Sequence, residues 1–289
     1  MEVEKFFTEA ASISVNEEFY ITPEIKQRIE EFTLFDDTFM TTVFDDNPKI
    51  TELLLRIILN RDEIVVTDFR TQKHLTNLTL HENNLDILAY EKTDILLTIK
   101  VQVDSRGASP RRARFILALI DSKSLPKGMD YPDLRDNYLI FITEKDVLGG
   151  GLPLYQIERT IVNYGNKPFN DGSHIIYVNG EYKAKPGEET ELSKLIHDFH
   201  CARPEDMYIP KLAKTVDEHK HTEGGQRKLS NAMRELIEQE TAKERENTTV
   251  EYVKRMVENL NLTAEQAMKA LALSAEEQEI IKKRLEESL

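Results

Sequence analysis

Asp86, Lys100 and Gln102 sit within two apolar runs, NNLDILAYE (83–91) and ILLTIKVQ (95–102), that read as strands around a polar turn. A hairpin made only for a core has no use for an acid, an ammonium and an amide at such positions. Side chains alternate faces along a strand, so Ile95, Leu97, Ile99, Val101 and Val103 share one face, and Thr98, Lys100, Gln102 and Asp104 the other. In the first strand Leu85, Ile87 and Ala89 lie together, which leaves Asp86 on the opposite face. The register that buries both apolar sets pairs Asp86 with Lys100, because a slip of one residue would drive an entire apolar set into water. A few residues on, SRGASPRRARF (105–115) holds Arg106, Arg111, Arg112 and Arg114 and no acid. Helix N–H groups and guanidinium groups at such a start can hold phosphate oxygens, by dipole and by bidentate hydrogen bonds. An acid on one strand, a polar cluster on the next and a basic helix start outline a metal-dependent phosphodiesterase. The same residues also suit a solvated strand face carrying a cross-strand Asp–Lys pair.

The elements that position these residues have local signals. Asn47 and Pro48 mark an N-cap and first helical position, predicting a helix over 48–60 with a dense apolar face. Segments 63–69 and 75–80 read as two short strands ahead of the hairpin. Ser109 and Pro110 open a helix that is basic in its first turn and apolar after it. NYLIFIT (137–143) is a continuous apolar run suited to a strand covered on both faces, and so to the sheet centre. GGGLPLY (149–155) breaks the chain. Asn179-Gly180, inside HIIYVNGEYK, is a two-residue hairpin signal. From about 187 the spacing is helical, with HKHTEGGQRK (219–228) as a linker candidate. Thr263 with Gln266, and Ser274 with Glu277, repeat the capping-box spacing and predict helices over 264–271 and 275–287. The last of these is too acidic to lie against phosphates, which favours a packing or dimer-forming tail over a helix-turn-helix.

The net charge of −14 weighs against nucleic-acid binding by the whole surface but not against a local basic site. No apolar run approaches the roughly 20 residues that span a bilayer. The acidic start, MEVEKFFTEAAS, has no basic-then-apolar layout, so a cytoplasmic protein with no membrane partner is expected. The single cysteine, Cys201, permits no internal disulfide and reads as a small buried hydrophobe. His197 and His200 stand at i,i+3 on a helix, where two ligands alone make a poor metal site, so surface or packing roles are expected for both.

A set of longer phrases carries a resemblance: FDDTFMTTVF, TELLLRIILNRDE, LDILAY, RRARF with LIDSKSL, YLIFITEKDVLGGGLPLY, DGSHIIYVNGEYK, and HDF followed by PEDMY. Over about 34–210 the chain resembles the recombination-promoting nuclease and transposase family, a branch of the PD-(D/E)XK nuclease superfamily. The resemblance implies an α/β (α+β) fold, with a restriction-endonuclease-like mixed sheet flanked by helices. The expected organisation is an N-terminal extension (1–30), a nuclease-like domain (31–220) and a helical C-terminal tail (221–289). It also implies Mg²⁺-dependent cleavage of DNA phosphodiesters, with Mn²⁺ as a possible substitute. Members carry an aspartate on the first hairpin strand, matched by Asp86, then an acid, one spacer and a glutamine on the second. Gln102 matches the glutamine, whereas Lys100 stands at the acid position. Two carboxylates normally share the ion, and a lysine repels it and can itself neutralise Asp86. The expectation is therefore a DNA-binding protein with weakened or absent hydrolysis. An active endonuclease would need a compensating metal ligand, Glu52 or Asp104, although Glu52 also reads as an i,i+4 pair with Arg56. A non-catalytic protein-interaction module, with a homodimer through the C-terminal helices, is the remaining alternative.

Overall fold

The computed structural model describes residues 21, 23–45, 47–75, 83–92, 95–102, 105–125, 128–260 and 262–287. At 70–75, 83–86, 105–106, 236–237, 239–240, 243 and 286–287 it describes the backbone alone. The chain runs α1 (Pro23–Glu31), α2 (Asp37–Phe44), α3 (Pro48–Leu59), β1 (Val66–Leu75), β2 (Asn83–Glu91), β3 (Leu96–Gln102), α4 (Pro110–Ser124), β4 (Asn137–Thr143) and β5 (Leu154–Ile157). It continues through β6 (Thr160–Ile161), β7 (Lys167–Pro168), β8 (Ser173–Asn179), α5 (Glu191–Phe199), α6 (Pro210–His221), α7 (Glu223–Leu260), α8 (Ala264–Ala270) and α9 (Ala275–Glu287).

A six-stranded mixed sheet has the order β1-β2-β3-β4-β8-β5, and β6 with β7 forms a separate two-stranded ribbon. β1, β2 and β3 are antiparallel neighbours, β3, β4 and β8 run parallel, and β5 returns antiparallel to β8. The architecture is thus mixed α/β, as expected. The central place of NYLIFIT also holds, since β4 lies between β3 and β8 and all but one of its residues are buried. α4 makes the crossover from β3 to β4, the connection that parallel strands require. Its Ala113, Ile116, Leu117 and Ile120 pack against Leu88, Leu96, Leu139, Phe141 and Tyr177 of the sheet. Each fully buried Leu, Ile or Phe there contributes roughly 1.5–3 kcal/mol.

Helix starts follow local chemistry. The Asn47 side chain accepts from Ile50 N (3.3 Å) ahead of Pro48, and that of Ser109 accepts from Arg112 N (3.4 Å) ahead of Pro110. Such caps contribute about 0.5–2 kcal/mol each.

Three expectations are corrected, the first in its bounds. The strand expected over 63–69 is β1, which starts at Val66 and runs on to Leu75, while the one expected over 75–80 lies beyond Leu75 outside the described residues. Its polar stretch RTQKH stays in the ladder because β1 is an edge strand, where polar residues are tolerated. Asn179-Gly180 makes no hairpin. Asn179 ends β8, and β8 takes β5 as its antiparallel neighbour instead. Gly180 is required for close approach: its N–H donates to Thr143 O (2.7 Å), and an added Cβ would lie 2.5 Å from that oxygen and 2.7 Å from the Phe35 ring. The expected linker at 219–228 is a corner between α6 and α7. Thr222 both ends α6, with its N–H on Glu218 O, and receives Gly225 N on its hydroxyl (3.1 Å). A Cβ on Gly225 would overlap the Glu218 carbonyl, whereas one on Gly224 would meet nothing.

The described residues up to Ser230 form one compact unit and those from Asn231 a second. α1 belongs to the first unit, with Ile29 fully buried. There the Lys220 side chain, 0% exposed, donates to Glu30 O (2.8 Å), Phe32 O (2.7 Å) and Ala202 O (2.5 Å). In the second unit Val250, Val253, Ala267, Met268 and Ile281 form a core of their own, and both capping boxes are made. Among the described residues no helix is long and apolar enough to cross a membrane.

Candidate functional site

The hairpin has the register that apolar burial demands. Ile87 faces Ile99, Leu88 faces Thr98 and Ala89 faces Leu97; one step further along the same register Asp86 falls opposite Lys100. The side chains of Asp86 and Arg106, and the whole of Asp104, lie outside the described residues.

Lys100 is where the structure departs most from a solvated strand face. It is only 7% exposed, and Thr98 on the same face is fully buried. The reason is α4, which covers this face. Lys100 lies in a cross-strand row with Phe141 and Tyr177, two members of the core that α4 closes. Lys100 is thus an ammonium at the margin of an apolar layer, where charge needs partners because water is scarce.

Gln102, at the end of β3, is locked in place. Its Oε1 accepts from Arg112 Nη1 (3.2 Å), and the same nitrogen donates to Gly107 O (2.6 Å). Gly107 lets the turn close, because a Cβ there would run into the Gln102 carboxamide, reaching 2.6 Å from Nε2. The oxygen of Gln102 therefore faces a cation, and its NH₂ group is the end left to donate. Arg112 thus braces the end of β3 through Gln102 and the Gly107 carbonyl. Arg111 and Arg114, in the first turns of α4, are exposed and form no ion pair among the described residues. The next two residues in the row, Thr143 and Asn179, are committed to loop backbone: Thr143 Oγ1 to Lys145 O (2.8 Å), and Asn179 Nδ2 to Leu152 O (3.0 Å).

Glu52 does not join this group. Its carboxylate pairs with Arg56 Nη2 (2.8 Å) and accepts from Val66 N (3.2 Å). Val66 starts β1, and the residue opposite Ile87 is Thr71, five positions along the strand. At about 3.3 Å per residue that is roughly 17 Å, too far for Glu52 and Asp86 to share an ion. Glu52 is thus committed to Arg56 and to the start of β1.

The described side chains near Gln102 do not fit Mg²⁺, which takes oxygen ligands. Lys100 supplies a cation, and the one amide oxygen is occupied by Arg112. The described groups there, ammonium, carboxamide NH₂ and guanidinium, are all hydrogen-bond donors. The brace between Arg112, Gln102 and Gly107 was not anticipated from sequence. Its one sequence signal is a glycine placed between a strand end and a Ser-Pro helix start. No family model, curated protein or solved structure matches this chain.

Proposed function

We propose that the chain is a DNA-binding protein of the PD-(D/E)XK recombination-promoting nuclease and transposase type, whose site grips the phosphodiester backbone and hydrolyses it weakly or not at all. The observation that carries this is the buried Lys100 beside a Gln102 whose oxygen is turned to Arg112, next to the exposed Arg111 and Arg114. The order of elements supports it, since one helix, α4, starts where β3 ends and covers the polar face of the hairpin. DNA phosphates meet a donor-rich edge there, and most protein–DNA hydrogen bonds go to such backbone oxygens. A homodimer through the C-terminal helices would have to use what their own core leaves exposed, such as Tyr252, Leu260 and Ile280.

Fluorescence anisotropy with duplex DNA and a plasmid-nicking assay with Mg²⁺ or Mn²⁺ test the proposal together. The parent chain is expected to bind duplex and to nick no faster than a chelated control. Lys100→Glu is expected to bind less tightly and to nick at least about tenfold faster with Mg²⁺, as a second carboxylate restores a ligand beside Asp86. Chelator-sensitive nicking by the parent would establish the active-endonuclease alternative, with Asp104 as the remaining compensating acid.

A further inference from the structure

A second group of chemically capable side chains lies at the end of α5, apart from the hairpin. His197, Asp198 and Cys201 bring an imidazole nitrogen, a carboxylate oxygen and a sulfur within 4.8 Å of one another. Cys201 Sγ is 3.5 Å from His197 Nδ1, and the same nitrogen is 3.3 Å from Asp198 Oδ1. His200 takes no part: its Nε2 is engaged with Gly180 O (2.8 Å), and its ring packs on Phe35. The useful spacing is therefore His-x-x-x-Cys and not the His-x-x-His of the sequence reading.

We propose that His197, Asp198 and Cys201 form a binding site for one thiophilic divalent cation of the Zn²⁺ class. A tetrahedral Zn²⁺ has bonds of about 2.0–2.3 Å, which places neighbouring donors about 3.3–3.8 Å apart. Two of the three edges already have that length. Closing the third takes at most about 1 Å. The ligands are also held from behind. Asp198, 0% exposed, accepts from Tyr208 N (2.7 Å) on Oδ1 and from Ile209 N (2.8 Å) on Oδ2, so Oδ1 keeps one lone pair for an ion. The His197 ring lies against that of Tyr208, with centroids 4.3 Å apart. Outer contacts of this kind orient the ligands of metal centres.

The competing interpretation, a Cys–His nucleophile, fails on geometry. A relay needs the thiol on the ring nitrogen opposite the acid, whereas here Asp198 Oδ1 meets Nδ1 (3.3 Å) and the sulfur lies nearer that same nitrogen (3.5 Å) than Nε2 (4.0 Å). Three protein ligands leave a fourth position for water or for a molecule in the adjoining cleft of about 770 Å³, which Ser193, Lys194 and Tyr208 help to line.

The test uses the full chain, freed of metal, with Co²⁺ as a spectroscopic probe. One equivalent is expected to produce visible d–d bands and an intense near-ultraviolet sulfur-to-cobalt band, both displaced by Zn²⁺. His197→Ala is expected to weaken binding at least about tenfold, and Cys201→Ser to remove the near-ultraviolet band. A spectrum unchanged in Cys201→Ser, or no band at one equivalent, overturns the site. As a check that needs no variant, one equivalent of Zn²⁺ is expected to slow alkylation of Cys201 in the parent at least about tenfold. Unaltered alkylation would overturn the site equally.

Discussion

The reach of Arg112 decides how Gln102 is presented. One guanidinium nitrogen serves both the carboxamide oxygen and the Gly107 carbonyl, so the amide is fixed with its hydrogens outward. A lysine has the charge but not the planar fork and cannot hold both acceptors in the same geometry. Arg112→Lys is therefore expected to weaken DNA binding about five- to tenfold while costing only about 1–2 kcal/mol of stability, read by anisotropy and by urea midpoint. Equal binding by the variant would mean that the orientation of Gln102 is immaterial. The types and register of Asp86, Lys100 and Gln102 were legible in the sequence because period-two alternation is strict. The burial of Lys100 was not, since a strand does not reveal which helix will cover its polar face.

Elements were legible wherever one residue type has one physical use. Asn47-Pro48, Ser109-Pro110 and the two capping boxes start helices at the expected residues, and the apolar run 137–143 is central. Glycines were misread because they have two uses, left-handed backbone and close approach, and sequence does not separate them. Gly180 and Gly225 are of the second kind. Gly225→Ala is expected to cost about 1–3 kcal/mol by overpacking against α6. Gly224→Ala, in open space, should be neutral or stabilise by up to about 1 kcal/mol through helix propensity. Denaturant midpoints at unchanged slope compare the two directly. In α4 the exposed Arg111 and Arg114 allow the proposed DNA contact to be tested without disturbing the core. Arg111→Ala and Arg114→Ala are each expected to lower the slope of log affinity against log salt by about 1 if each meets a phosphate. A slope equal to the parent's would remove that residue from the interface.

The molecule as a whole carries −14, so binding through a local cationic edge works against the field of the rest and should weaken steeply with salt. Within the unit that ends at Ser230, cohesion depends on Lys220. Burial pushes its ammonium down from 10.5 to about 8, against the pull of Glu30, Asp36 and Glu205. The folded chain thus releases this proton at lower pH than the unfolded chain does. Between about pH 8 and 10.5 the unfolded state binds more protons, and the contribution of this group to stability rises with pH. Lys220→Met, which leaves three carbonyls without a donor, is expected to cost about 3 kcal/mol at pH 7 and to lose that rise. A parent whose urea midpoint falls relative to the variant from pH 8 to 10 would show that the three carbonyls outweigh burial.

Lys220 also sets an order of events during synthesis. The carbonyls of Glu30 and Phe32 wait for a donor 190 and 188 residues downstream. A ribosome emits the chain N-terminus first, so α1 leaves the exit tunnel long before its fastening does. Nascent chains arrested before Lys220 emerges should leave α1 open to protease, and those arrested well past it should protect it.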